Sequence, residues 1–163
     1  MIASDMPLSL IVYDDAANRK GSEAIAQGDG PPRGRELEIA DLLRFTRDSG
    51  VTNTVWLTAD VHYAAAHFYS PERAQFQDFT PFWEFVAGPL HAGTGRQNEL
   101  DNTFGPEVSF IKAAAPGTVL SPSDGMQFFG HVQIEGASGR MTVTLRDRND
   151  IALWSTALDP KPG

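Results

Sequence analysis

The sequence predicts a single domain, residues 1–163, with a mixed α/β (α+β) fold that ends in an antiparallel meander. A helix with regular apolar spacing, residues 34–49, is followed directly by an apolar strand, residues 51–57, which is typical of an α/β layer. Residues 127–158 contain three short strands separated by turn-forming sequences, which indicates an antiparallel arrangement. The length of 163 residues is enough for one domain with a sizeable core.

The N-terminal part of the chain predicts a strand followed by a long loop. Residues 7–13 read PLSLIVY, and their apolar and β-branched side chains predict a short strand. Residues 14–34 are polar and are interrupted by glycine and proline. We expect a loop there, which is either functional or a surface excursion.

The helix at residues 34–49 is the clearest element of the sequence. Its buried face is predicted from side chains that recur at helical spacing: Ile39, Leu42, Leu43 and Thr46, flanked by Leu37 and Phe45. Glu36 and Glu38 are expected near the positive end of the helix dipole, and Gly50 is expected to end the helix.

The remaining strands follow in sequence order. Residues 64–69 and 82–87 predict two strands, and residues 108–112 predict a third inside a region, 90–122, that otherwise resembles loop. The C-terminal meander is predicted from three segments, residues 127–135, 141–146 and 151–158.

Composition disfavours several classes of function. The formal net charge is −8, and lysine and arginine are not clustered. The chain is therefore a poor candidate for binding the phosphate backbone of nucleic acid. The absence of cysteine excludes disulfides, thiolate metal sites and a cysteine nucleophile. No apolar stretch is long enough for a membrane span. No signal peptide is visible, because Asp5 and Pro7 interrupt the first apolar residues.

Asp60 and His62 are the strongest candidates for chemistry. They follow the strand at residues 51–57, and ligands of α/β proteins bind at the carboxyl ends of strands. In an extended segment, residues two apart point to the same side, so both side chains would face one ligand. A carboxylate oxygen and an imidazole nitrogen suit a divalent or trivalent metal ion. The alternative is structural, with Asp60 capping a loop and His62 bonding a carbonyl group.

His67, Glu84 and His91 are candidates for supporting that site, by orienting a ligand or by belonging to a substrate loop. Glu84 lies in the apolar segment FWEFVA, where it either accepts a hydrogen bond from a metal-bound histidine or faces outward. His67 points away from His62 if the segment stays extended, and a kink or bulge would change that. We expect a core histidine with a satisfied ring rather than a ligand. His91 lies in the turn at residues 88–93 and either reaches the site or stays exposed.

Six segments are long enough for comparison with known families: MPLSL (6–10), GRELEIADLLRF (34–45), NTVWLTADVHYAAAHFY (53–69), FWEFVAGPLHAG (82–93), LDNTFGPEV (100–108) and FFGHVQIEG (128–136). Together, and in this order, they resemble the C-terminal part of PhoD-like (D-type) alkaline phosphatases of the metallophosphoesterase superfamily. The resemblance covers nearly the whole chain. It implies a partial metallophosphoesterase-like β-sandwich flanked by a helix.

The resemblance also implies a function. Members of this family are metal-dependent hydrolases of small phosphate esters, of the alkaline phosphatase or phosphodiesterase type, with a metal cluster of iron and calcium. Their GDVH motif binds metal and matches residues 59–62 here, with alanine in place of its glycine. Metal ligation therefore carries over to Asp60 and His62. The family is typically exported from the cell.

Two metal motifs that the family carries further upstream, of the G-D-x-x-D and W-D-D-H-E/N kinds, have no counterpart here. We therefore expect the C-terminal portion of a larger catalytic domain, weak or inactive alone, because Asp60 and His62 leave most coordination positions empty. Without the upstream strands of the family fold, apolar surface and strand edges would be exposed. Exposed surface of this kind predicts a homo-oligomer. One alternative is a non-catalytic remnant that oligomerises or binds a partner, and another is a site assembled from two chains.

Overall fold

A computed structural model describes residues 1–13, 15, 17–18, 21 and 23–161. Parts of the predicted loop at residues 14–34 lie outside the described residues: Asp14, Ala16, Arg19, Lys20 and Ser22. The described chain contains helix α1 (Glu36–Asp48) and the strands β1 (Ile2–Ala3), β2 (Leu10–Ile11), β3 (Val55–Thr58), β4 (Ala64–Tyr69), β5 (Phe82–Val86), β6 (Glu99–Leu100), β7 (Pro106–Lys112), β8 (Phe128–Ile134), β9 (Met141–Asp147) and β10 (Ala152–Leu158).

A five-stranded sheet with the order β1-β3-β5-β4-β7 is the centre of this mixed α/β fold. Strands β1, β3 and β5 are parallel, whereas β4 runs antiparallel to both β5 and β7. Strand β3 lies between two others, which explains the apolar run that predicted it. The strands β10-β9-β8 form the predicted antiparallel meander, and β2 pairs with β6 in a two-stranded ribbon.

One face of the five-stranded sheet packs against the meander. Val55, Ala66 and Phe85 form a core cluster with Val143 and Leu145 of β9. Because the contact joins the inner faces of two sheets, the architecture is sandwich-like, as the family resemblance implies.

The opposite face is covered by α1 and by the N-terminal segment. Leu8 and Leu43 share a core cluster there with Trp56, and the rings of Tyr69 and Phe82 stack with centroids 4.5 Å apart. The sheet therefore has a helix on one side and a second sheet on the other, and both faces are buried.

Helix α1 is confirmed, and so is the centre of its predicted buried face, because Leu43 lies in the core cluster and Ile39 and Leu42 pack against it. The buried side chains are Glu36, Ala40 and Leu43. Leu37 and Phe45, which we expected to flank the buried face, are 55% and 64% exposed. The prediction of Leu37 and Phe45 as flanking residues is therefore wrong, because Glu36 and Ala40 occupy the buried positions beside Leu43. Among the described residues, no helix is long and apolar enough to cross a bilayer.

The predicted strand at residues 7–13 is mostly wrong. Only β2 is paired within it, and the unpredicted strand β1 lies before it, paired with β3. The N–H of Leu8 donates to Oε1 of Glu84 at 2.8 Å and not to a neighbouring strand. The segment therefore crosses the face of the sheet as irregular chain, with Leu8 and Leu10 fully buried.

Glu36 is a buried carboxylate that holds the end of the loop before α1. Its Oε1 accepts the N–H of Gln27 at 2.8 Å, and its Oε2 accepts the N–H of Arg33 at 3.0 Å. Burial raises the pKa of Glu36 above its ordinary value; the two backbone donors oppose this, and the nearby Asp101 carboxylate adds to it. The dipole role predicted for Glu36 is therefore secondary to this buried contact.

We expect Glu36 to make the fold less stable as the pH rises. Its pKa is raised in the folded chain, so above the ordinary value of 4.5 the folded state binds more protons than the unfolded state. The free energy of unfolding therefore falls between pH 4.5 and the raised pKa. Urea unfolding across this range should show a smaller fall for Glu36→Gln than for the wild type. Glu38→Gln, an exposed change on the same helix, is the control for net charge, and an equal response of both variants would contradict the prediction.

Candidate functional site

Asp60 and His62 lie in the turn that follows β3, at the carboxyl edge of the parallel strands. The extended segment that the sequence predicted is wrong. Asp60 has a φ of 59°, in the left-handed region. The N–H groups of Val61 and Tyr63 donate to carbonyls two residues earlier, at 2.7 and 2.9 Å. The segment is therefore a pair of three-residue turns.

Two buried side chains direct Asp60 and His62 outward. Val61 and Tyr63 belong to a core cluster with Leu10, whereas Asp60 and His62 are exposed. Burial raises the pKa of Tyr63, so its hydroxyl stays protonated at neutral pH. The side chains of Asp60 and His62 are thus both exposed, as predicted, but two tight turns produce this arrangement and not an extended strand.

Asp60 and His62 line one cavity of about 470 Å³. The cavity is also lined by Val12, by residues 117–119, and by three residues of a third segment: Gly95, Arg96 and Asn98. The N–H of Gly95 donates to the carbonyl of His62 at 2.8 Å, which fixes one wall against the turn. The structure therefore places the two predicted residues in one cavity, and the segment that contains Gly95 forms another part of its lining.

Arg96 lines the same cavity, and the sequence analysis did not single it out. Its side chain is exposed and forms no hydrogen bond or ion pair with a described residue. Every other arginine in the described parts of the chain forms an ion pair with a carboxylate or donates to a backbone carbonyl. No motif surrounds Arg96 in the sequence, so its position beside Asp60 appears only after folding.

His67 and Glu84 lie together in the core, away from that cavity. They are directly opposite each other on β4 and β5 and are fully buried. Oε2 of Glu84 is 2.9 Å from Nδ1 of His67 and accepts the hydroxyl hydrogen of Tyr69 at 2.8 Å. His67 is a core histidine, as expected, but its ring is only half satisfied, because its buried Nε2 has no hydrogen-bond partner among the described residues. The outward-facing alternative for Glu84 is wrong. Burial and the charge of Glu84 raise the pKa of Tyr69 well above its ordinary value, which keeps this donor protonated.

His91 is exposed in the turn after β5. This turn begins with a cis peptide bond between Gly88 and Pro89. The N–H of Ala87 donates to the carbonyl of Thr58 at 3.2 Å, which places the start of the turn beside the end of β3. The ring of His91 is not part of the cavity that Asp60 and His62 line.

Asp60 and His62 offer two ligands of the kinds that metal ions accept. Metal ions in proteins usually have at least four ligands. Within the described parts of the chain, no group of three or more His, Cys, Asp or Glu residues is placed to hold one ion. The donor chemistry therefore suits a metal, but the described residues are too few to complete a centre.

Comparison with known proteins identifies one family. A family model described as PhoD-like phosphatase matches residues 1–145. The match includes the turn with Asp60 and His62, the segment with Arg96, and the chain as far as β9. No curated protein matches the chain.

Proposed function

Because the chain belongs to the PhoD-like phosphatase family, we propose that it serves the hydrolysis of small phosphate esters, of the alkaline phosphatase or phosphodiesterase type. The observation that carries the proposal is the cavity shared by Asp60 and His62, at the carboxyl edge of the parallel strands. Its volume of about 470 Å³ lies within the range of small-molecule sites.

Asp60 and His62 are proposed as ligands of an iron- or calcium-type ion. Both side chains are exposed in the cavity, and no described side chain forms a hydrogen bond or ion pair with either of them. The carboxylate of Asp60 and the imidazole of His62 are therefore free to bind an ion. Since two protein ligands hold a metal weakly, the remaining ligands must come from outside the described residues, and the chain alone should have low activity.

Hydrolysis of p-nitrophenyl phosphate and bis(p-nitrophenyl) phosphate tests this proposal. We expect slow release of nitrophenolate in the presence of iron and calcium, and its loss after chelation. Metal content should be measured on the same samples by elemental analysis. If neither ester is hydrolysed with any metal addition, and no metal binds, the hydrolase proposal fails for this chain.

The alternative function is a non-catalytic module that oligomerises or binds a partner. The exposure of Leu37 and Phe45 on α1 favours it, because large apolar side chains on a helix surface often mark an interface. We propose a homo-oligomer in either case. Sedimentation velocity over a range of concentrations should show species larger than the monomer, and a monomer at every concentration would contradict this.

A further inference from the structure

Two exposed cations near the proposed site, Arg96 and Lys112, have no anionic partner among the described residues. Arg96 lines the cavity of Asp60 and His62, and it also lines an adjoining cavity of about 500 Å³. Lys112 lines this second cavity. Arg96 therefore lines both cavities, and Lys112 supplies a second positive charge in the adjoining one.

The carboxylate that lines the second cavity is already engaged. Glu99 lies among the residues around Lys112, and its Oε2 accepts the hydroxyl hydrogen of Tyr13 at 3.2 Å. Neither Arg96 nor Lys112 forms an ion pair with Glu99. The positive charges are thus available to an anion that enters from solvent.

The backbone that carries Arg96 is fixed on both sides. Gly95 donates its N–H to the carbonyl of His62 at 2.8 Å and accepts the N–H of Ala114 at 2.9 Å. The side-chain amide of Asn98 donates to the carbonyl of Ile11 at 3.1 Å. An anion-binding group held in this way loses less conformational freedom on binding than one on a loose loop.

The position of Lys112 is also fixed, because it is the last residue of β7 and is paired with Ala64 of β4. Ala64 follows directly after the turn that contains Asp60 and His62. The strand pairing therefore brings the backbone of Lys112 close to the same turn, from the side of the second cavity.

We propose that Arg96 and Lys112 form an anion subsite that selects phosphate esters with a second anionic group. Arg96 binds oxygens of the phosphoryl group next to Asp60 and His62, and Lys112 binds the second group in the adjoining cavity. The identity of the bound molecule as a substrate rests on the proposed function. A guanidinium binds two phosphate oxygens at once, whereas an ammonium group acts as a point charge.

The charge of the whole chain supports a dedicated subsite. With a net charge of −8, the protein repels anions over most of its surface. A phosphate ester must therefore meet local positive charge before it can reside in the cavity. In the described chain, Arg96 supplies that charge in the lining of the cavity that Asp60 and His62 share.

Binding of inorganic phosphate and inorganic pyrophosphate to the metal-free chain tests the subsite without turnover. Isothermal titration in the presence of a chelator should show tighter binding of pyrophosphate than of phosphate. We expect Arg96→Gln to weaken the binding of both anions about tenfold, or by about 1.4 kcal/mol. Lys112→Gln should weaken pyrophosphate binding by a similar factor and leave phosphate binding unchanged.

Arg140→Gln is the matched control, because it removes the same charge from an exposed arginine beside β9. It should leave both affinities unchanged. The proposal is overturned if the wild type binds neither anion, if Arg96→Gln binds phosphate as the wild type does, if Arg140→Gln weakens binding equally, or if Lys112→Gln affects both anions alike.

The same variants separate this subsite from the proposed function. If Arg96→Gln loses anion binding but the wild type hydrolyses no ester, the hydrolase proposal fails and the subsite stands. If the wild type hydrolyses esters and phosphate inhibits Arg96→Gln as strongly as the wild type, the subsite fails and the hydrolase proposal stands.

Discussion

Asp60→Asn is expected to lower the affinity of the chain for the proposed metal ion at least about a hundredfold, and to lower ester hydrolysis in parallel. The substitution replaces an anionic oxygen ligand with a neutral amide of the same size. Asparagine is preferable to alanine, because Asp60 has a φ of 59° and asparagine tolerates the left-handed region. Alanine would add backbone strain of about 1–2 kcal/mol to the effect on metal binding.

Asp150→Asn is the matched control for this variant. Asp150 also has a left-handed backbone, with a φ of 65°, and it lies in the turn between β9 and β10. Calorimetric titration with calcium and with iron should show unchanged affinity for Asp150→Asn. Equal losses in the two variants would indicate a general charge effect, and an unchanged affinity in Asp60→Asn would contradict its role as a ligand.

Glu84→Ala is expected to lower the free energy of unfolding by about 3–5 kcal/mol. The substitution removes the acceptor of three buried groups: the N–H of Leu8, the hydroxyl of Tyr69 and the ring of His67. Each buried group left without a partner costs about 1–3 kcal/mol. The loss should also release the N-terminal segment from the face of the sheet, because its contact through Leu8 disappears.

Glu107→Ala provides the comparison for Glu84→Ala. Glu107 is an exposed residue of the same sheet, and its ion pair with Arg73 spans 3.7 Å at the surface. Such pairs contribute about 0–1 kcal/mol, so urea unfolding should show a small change. A loss below about 1 kcal/mol in Glu84→Ala would contradict the structural role of Glu84. If the alanine variant does not fold, Glu84→Gln serves instead, with a smaller loss because an amide retains one acceptor.

Metal affinity distinguishes the two roles that the sequence left open for Glu84. A residue that orients a metal ligand changes metal affinity when it is replaced. The carboxylate of Glu84 instead contacts His67 in the core, outside the cavity of Asp60 and His62. We therefore expect folded Glu84→Gln to bind metal as the wild type does.

The sequence predicted the elements whose signals are local. Strand β4 begins and ends where expected, and the meander follows from three short strand segments and the turn-rich segments between them. The segment at residues 7–13 was predicted wrongly because its backbone donor, Leu8, is satisfied by a side chain 76 residues away. A local pattern carries no information about such a partner.

The sequence by itself determined the family and the order of most strands, and it singled out Asp60 and His62 as candidates, because long matched segments and a polar pair after an apolar strand can be read along the chain. Only the tertiary structure decided that Glu84 lies in the core, where it pairs with His67, and that Arg96 lines the cavity of Asp60 and His62. The physical reason is that burial and hydrogen bonding depend on neighbours in space. Gly95 bonds to His62 across the fold, and this contact carries Arg96 into the wall of the cavity.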